Sequence, residues 1–196
     1  MALQGHKCEV KSASTGVSMT DEATTAAAGN LTYTITDTAK LIIDMNTTLV
    51  VKDGGTATTE AYKVNYLNGV ITFATAVVRT ITVTGAYLTP TTVATADSFT
   101  SDITVDMLEN TKFLDEFKTY QAGLVSGTVN LGRFFVADDL FTDDILNGQY
   151  KIIYLYVDPT HIIKMFGLLN SDSSTGEVAD LIKETMTYQV TNEIEV

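Results

Sequence analysis

Apolar residues and threonine take turns along six stretches of this 196-residue chain, and 33 of its residues are Thr. Leu31, Tyr33 and Ile35 interleave with Thr32, Thr34 and Thr36, and Ile81 and Val83 sit between Thr80, Thr82 and Thr84. A period of two puts one set of side chains on each face of an extended strand, so this alternation predicts half-buried β-strands. Threonine suits the wet face, because its β-branch favours extended backbone while its hydroxyl accepts water or another subunit.

At 45% hydrophobic residues the chain can bury one sizeable core, and its length predicts a single domain, residues 1–196, in which 1–30 is an N-terminal arm or long loop. Other strands are expected at Lys7–Lys11, Thr47–Lys52, Tyr62–Leu67, Val70–Phe73, Arg79–Thr84, near Phe99, at Leu124–Leu131, Phe134–Val136 and Tyr150–Val157. Asn68-Gly69, between two apolar runs, is a type I′ hairpin signal, since both central residues of that turn need positive φ. Gly85–Ser98 reads as irregular, and Pro90 limits ladder pairing there. Residues 161–169 are apolar on both faces, which leaves strand and helix open, with strand favoured. Over Met186–Val196 the alternation becomes most regular, with Met186, Tyr188, Val190, Ile194 and Val196 on one side.

One segment breaks the strand pattern. From Asp106 to Gln121, Met107, Leu108, Phe113, Leu114, Phe117 and Tyr120 recur mainly at spacings of three, four and seven, which predicts an amphipathic helix ended by Gly123. Asp138–Leu146 resembles a shorter helix with acidic residues at its start. The fold class expected is therefore α+β: mainly β with one substantial helix, arranged as a β-sandwich or partly closed barrel flanked by that helix, with long loops.

Charge excludes several functions. A formal charge of -12 opposes nucleic-acid binding through counterion release. The densest apolar run, Ile152–Val157, is far shorter than the roughly 20 residues that span a bilayer, and Met1–Lys7 lacks the apolar core of a signal peptide, so a soluble protein made in the cytoplasm is expected. Cys8 is the single cysteine and cannot form an internal disulfide. With His6 and His161 the only histidines, no zinc ligand set is evident, and no cofactor is expected. No Ser-His-Asp, Cys-His or Gly-x-Ser-x-Gly arrangement offers a nucleophile, so no enzymatic activity is expected. Asp138, Asp139, Asp143 and Asp144 form the densest acidic cluster; their spacing fails the EF-hand pattern, and helix capping accounts for them more simply than calcium. Asp53-Gly54-Gly55 reads as a turn rather than a phosphate loop. Phe134, Phe135, Phe141, Tyr154, Tyr156 and Phe166 have few basic residues among them and read as core aromatics.

The segment Gly16-Val17-Ser18-Met19-Thr20-Asp21-Glu22-Ala23, followed by strands and Tyr62-Lys63-Val64-Asn65-Tyr66-Leu67-Asn68-Gly69-Val70-Ile71-Thr72-Phe73, resembles the major tail tube proteins of tailed bacteriophages. That resemblance implies a virion structural protein, made in the bacterial cytoplasm and resident in the phage tail. It implies homo-oligomeric, hexameric rings that stack into a hollow tube beside other tail proteins. DNA would be passing cargo only: an acidic lumen repels phosphate within about one Debye length, roughly 8 to 10 Å. Asp138, Asp139, Asp143 and Asp144 are candidates for that acidic surface. Candidate subunit contacts are Asp53, Gly54 and Gly55 in a projecting loop, and Tyr188, Val190 and Ile194 in the C-terminal strand, which would pair across subunits. Gly16–Asn30 and Val51–Tyr62 are the extensions available for ring stacking. A tail terminator, head-tail connector, capsid decoration protein, or an adhesive or carbohydrate-binding β-sandwich would share much of this character.

Overall fold

The computed structural model describes residues 7–13, 16–113, 116–134, 148, 150–157, 161–175 and 182–195. Among them the chain is all β: fourteen strands in two antiparallel seven-stranded sheets, plus one 3-10 turn at Thr38–Lys40. The expected substantial helix is absent. Its span instead holds the end of one strand, a tip and the start of the next, for a reason given below.

Strand β1 (Lys7–Ala13) starts the first sheet. The chain then leaves to build all of the second sheet: β2 (Val17–Ala26), β3 (Thr32–Ile35), β4 (Val50–Asp53), β5 (Thr56–Ala57), β6 (Tyr62–Asn65), β7 (Val70–Phe73) and β8 (Ile81–Tyr87). It returns with β9 (Pro90–Ala96), β10 (Ser98–Glu109), β11 (Tyr120–Phe134), β12 (Tyr150–Tyr156), β13 (Ile162–Thr175) and β14 (Lys183–Glu195). The first sheet has the order β10-β11-β14-β13-β12-β1-β9, and the second β5-β4-β8-β2-β3-β7-β6.

The first sheet must curl. Its two edge strands, β9 and β10, are consecutive in the chain with only Asp97 between them, so the edges are drawn together into a partly closed barrel. Asp97 N–H donates to the carbonyl of Gly132 at this seam, 3.0 Å away. Cys8, Val10, Val129, Leu131, Ile153, Leu155, Met165, Met186 and Tyr188 fill the interior, all with no exposed surface. The second sheet wraps its own core of Tyr33, Ile35, Ile43, Val51, Ile71, Phe73, Ile81 and Val83. A third cluster joins the two lobes, where Leu67 from the β6–β7 loop packs on Ile152, Tyr154 and Phe166 of the barrel's outer face. Tyr154 and Phe166 are thus core aromatics.

Several expectations change in detail. Residues 17–26, expected within an arm or loop, form β2, a strand paired to β8 and β3. A bulge at Asp21, which has φ 51°, interrupts its alternation and hides it from a period-two reading. The 62–73 hairpin exists, but Asn65 pairs with Val70, so its loop holds four residues rather than two. Asn65 causes this: its side-chain oxygen accepts from the N–H groups of Leu67 and Asn68, closing an Asx turn that leaves only Gly69 at positive φ. Pro90 opens β9, where an edge strand tolerates a missing donor. The shorter helix expected at Asp138–Leu146 and the strand over 135–136 lie outside the described residues.

Candidate assembly surface

The hairpin β10–β11 is the longest feature of the barrel, and half of it has no barrel beneath it. Its strands pair from Ser98↔Gly132 to Glu109↔Tyr120. On its other side β11 pairs with β14 only from Thr128 to Phe134. Residues 103–113 and 116–127 therefore project as a two-stranded arm, and among the described residues no strand lies beside the β11 edge from Tyr120 to Gly127.

The arm keeps the face pattern of the core it has left. Cross-strand partners share a face, so Phe99, Ile103 and Val105 lie on the face of Leu131, Val129 and Val125, and Met107 and Tyr120 continue it. Val129 and Leu131 are fully buried, whereas Val125 is 62% exposed, Met107 62% and Tyr120 51%. At the tip Phe113 and Phe117 stand 95% and 81% exposed. A largely apolar exposed face of this kind marks an interaction surface.

This is also where the helix expectation fails. Met107 and Leu108 point to opposite faces of one strand, and Phe113, Phe117 and Tyr120 follow a reversal of the chain, so the spacing mimics a helical stripe without any helical turn. Gly123, expected as a helix end, sits at a β-bulge: Val105 faces Val125 but Met107 faces Ala122, which leaves one extra residue on β11. A Cβ at Gly123 would come within 3.1 Å of the Asp106 carbonyl oxygen, so any side chain there would have to displace its neighbours by a few tenths of an ångström.

Beside the arm's root, β14 departs from β11. Between the pairs Phe166↔Thr191 and Met165↔Ile194, β14 carries two extra residues, and this irregularity bends its end toward β13. The last link across the gap is the Gln189 side chain, whose Nε2 donates to the Gly127 carbonyl at 2.8 Å. Beyond it opens a fork of about 290 Å³ lined by Val125, Ser126, Gly127, Val190, Thr191 and Ile194.

The residues singled out by sequence fall in different places. Val190 and Ile194 are half-buried and line the fork, but Tyr188 is fully buried in the barrel and serves its own subunit's core. β14 is an interior strand flanked by β11 and β13, so over Lys183–Gln189 it has no edge to offer a neighbour. Asp53 closes the β4–β5 hairpin through Gly54 and Gly55, both at positive φ (59° and 89°), the geometry of a two-residue type I′ turn. Both glycines are exposed at the edge of the second sheet, while the Asp53 carboxylate binds Arg79 at 3.0 Å. Asp138, Asp139, Asp143 and Asp144 lie outside the described residues, as does His6. Cys8 is buried in the barrel, where desolvation pushes its thiol up to about 12. Among the described residues no group of three His, Cys, Asp or Glu is placed to hold a metal.

No protein-family model matches the sequence, nor does any curated protein. Among solved structures, the fold is similar to a chain in the tail of an empty gene transfer agent particle refined with C6 symmetry, with a TM-score of 0.48 and 10% identity, over 55% of this chain and 85% of that one. It is also similar to a chain in the virion of a native gene transfer agent particle, with a TM-score of 0.47 and 10% identity, over 54% and 86% of the two chains.

Proposed function

We propose that this chain is a structural subunit of a phage-type particle and, within it, the tube-forming protein of the tail: a non-enzymatic protein of the virion that assembles into rings, six-membered by the resemblance stated above, which stack into a hollow tube. The observation that carries this reading is the β10–β11 arm, a core-type face extending past its own core. Such a face is stable in water only when something covers it, and a chain of this kind reaches its lowest free energy in an assembly. The charge of -12 supports the passage of DNA, since an acidic wall gains nothing from counterion release and repels phosphate.

Negative-stain electron microscopy of the purified chain over a concentration series, with light scattering for the smallest species, tests the reading. Hollow tubes with a regular axial repeat are expected. Closed rings that never stack would reassign the chain to a terminator or connector, and a monomer at every concentration would remove the self-assembling role.

A further inference from the structure

Resting on that reading, we propose that the apolar tip of one subunit's β10–β11 arm occupies the β11–β14 fork of the next subunit, and that this contact closes the ring rather than stacking it.

Knob and slot are both present in one chain. Phe113 and Phe117 form the knob. The fork, lined by Val125, Val190 and Ile194, supplies an open apolar recess of about 290 Å³. An arm cannot fill its own fork, because Tyr120 to Gly127 spans seven residue rises, roughly 24 Å at about 3.4 Å each. The occupant is therefore another copy's tip.

Area and charge favour a copy over other occupants. Two exposed phenylalanines offer much of the roughly 150–250 Å² that each aromatic can bury. Met107 and Tyr120, next along the arm and both more than half exposed, extend that apolar area toward the size of a stable interface. The tip, residues 110–119, holds two lysines and two acidic residues, with Lys118 paired to Glu109 at its base at 3.0 Å, and so is close to neutral on a chain of -12. Such a tip adds little like charge to another copy of this acidic chain, whereas an anionic lipid surface or nucleic acid would meet the repulsion of the whole chain.

Position decides ring against stack. β14 runs from its β13 hairpin at Lys183 to the fork at residues 190–195, so tip and fork lie at one end of the barrel and the β13–β14 turn at the other. A tip that reaches the fork of another copy makes a heterologous contact, the kind that closes into a ring when its rotation permits.

Disulfide trapping tests this, using Phe117→Cys and Thr191→Cys in the same chain. Native Cys8 is buried, its thiol is raised to about 12, and it does not compete. A disulfide needs Cα atoms within about 7 Å, so intrachain closure is out of reach. The expected result is an oxidation ladder on non-reducing gels that extends past the dimer and stops at the copy number of one ring, while either single variant stays monomeric on the gel; a ladder that runs on without a limit would overturn ring closure. Phe117→Cys alone forming dimers would mean tip against tip and would overturn the proposal, as would a double variant that stops at the dimer. Tubes without any trapped bond would overturn the tip-in-fork contact and leave the tube function standing. A monomer in light scattering without any trapped bond would overturn both.

Discussion

Two long hairpins leave opposite ends of the barrel, and they are built from opposite materials. Among the described residues, the far part of the β13–β14 pair carries Asn170, Ser171, Ser173, Ser174 and Thr175, with Thr185 and Lys183 opposite, all exposed, and Ile182 its one exposed large apolar side chain; residues 176–181 between the strands lie outside the described residues. The β10–β11 hairpin ends in Met107, Leu108, Phe113, Phe117, Tyr120 and Leu124, all exposed as well. Backbone pairing is the same device in both. A polar hairpin is complete in water, because each side chain that leaves the core finds hydration. An apolar one is incomplete, since its face loses roughly 25 cal/mol for every Å² that stays wet. The difference assigns the two ends different work.

The largest expected effect comes from giving the arm the other hairpin's chemistry. Phe113→Ser with Phe117→Ser should weaken assembly on the order of 1000-fold in critical concentration, because central interface aromatics contribute about 2 kcal/mol or more each and 1.4 kcal/mol is tenfold. Monomer stability in urea should move by no more than about 0.5 kcal/mol, since neither ring is buried in the subunit. Sedimentation and urea titration check the two halves of this expectation. Unchanged assembly would end the contrast between the hairpins.

A finer cut compares two valines on one strand and one face. Val129 is fully buried in the barrel and Val125 is 62% exposed four residues away on the arm. Val129→Ala should cost about 2–3 kcal/mol of unfolding free energy from lost burial and the cavity left behind. Val125→Ala should leave the monomer's urea midpoint where it is and raise the critical concentration several-fold. Equal effects on the monomer would mean that the arm's face is already covered within the subunit.

Much of the barrel was legible in the sequence, and the arm was not, for reasons visible in particular residues. Met186 and Tyr188 point inward while Thr185 and Gln189 face out, as alternation requires. The second sheet's central β2 went unread because Ala, Thr and Ser dominate it and Asp21 breaks its period. In the arm Ile103, Val105 and Met107 do alternate with Thr104 and Asp106, but Leu108 follows Met107 directly, Gly123 shifts the register of the returning strand, and Phe113 and Phe117 between the strands add a helical rhythm by chance. Half of the site was within reach: Val190 and Ile194 do line the fork, though through a bend in β14 that no spacing announces. Tyr188 follows the same alternation into the core, because period two tells inside from outside but not one subunit's inside from an interface.

Gly123→Val probes the arm's shape rather than its surface. A Cβ there would sit 3.1 Å from the Asp106 carbonyl oxygen, so a valine must push its neighbours aside, and overpacking of this kind should cost about 1–3 kcal/mol. That cost falls on the arm alone, which has few barrel contacts. Hydrogen exchange should therefore quicken in residues 103–127 while the barrel strands keep their protection. Uniform loss of protection would instead show that arm and barrel unfold together.

The smallest effect belongs to the polar hairpin. Ser173→Glu adds one charge at an exposed position whose hydroxyl reaches the Thr185 carbonyl only at 3.4 Å, so stability and ring closure should both hold within about 0.5 kcal/mol. If rings stack, however, this end of one ring faces the arm end of the next, and a charge repeated around the ring opposes approach. Tube elongation followed by light scattering should then slow a few-fold at about 0.01 M salt, where the Debye length is near 30 Å, and recover at 0.15 M, where it is about 8 Å. An arm variant that stops ring formation and a hairpin variant that only slows stacking at low salt would divide lateral from axial assembly between the two ends. If Ser173→Glu instead blocks ring formation, the polar end takes part in lateral contacts, and the division argued from composition fails.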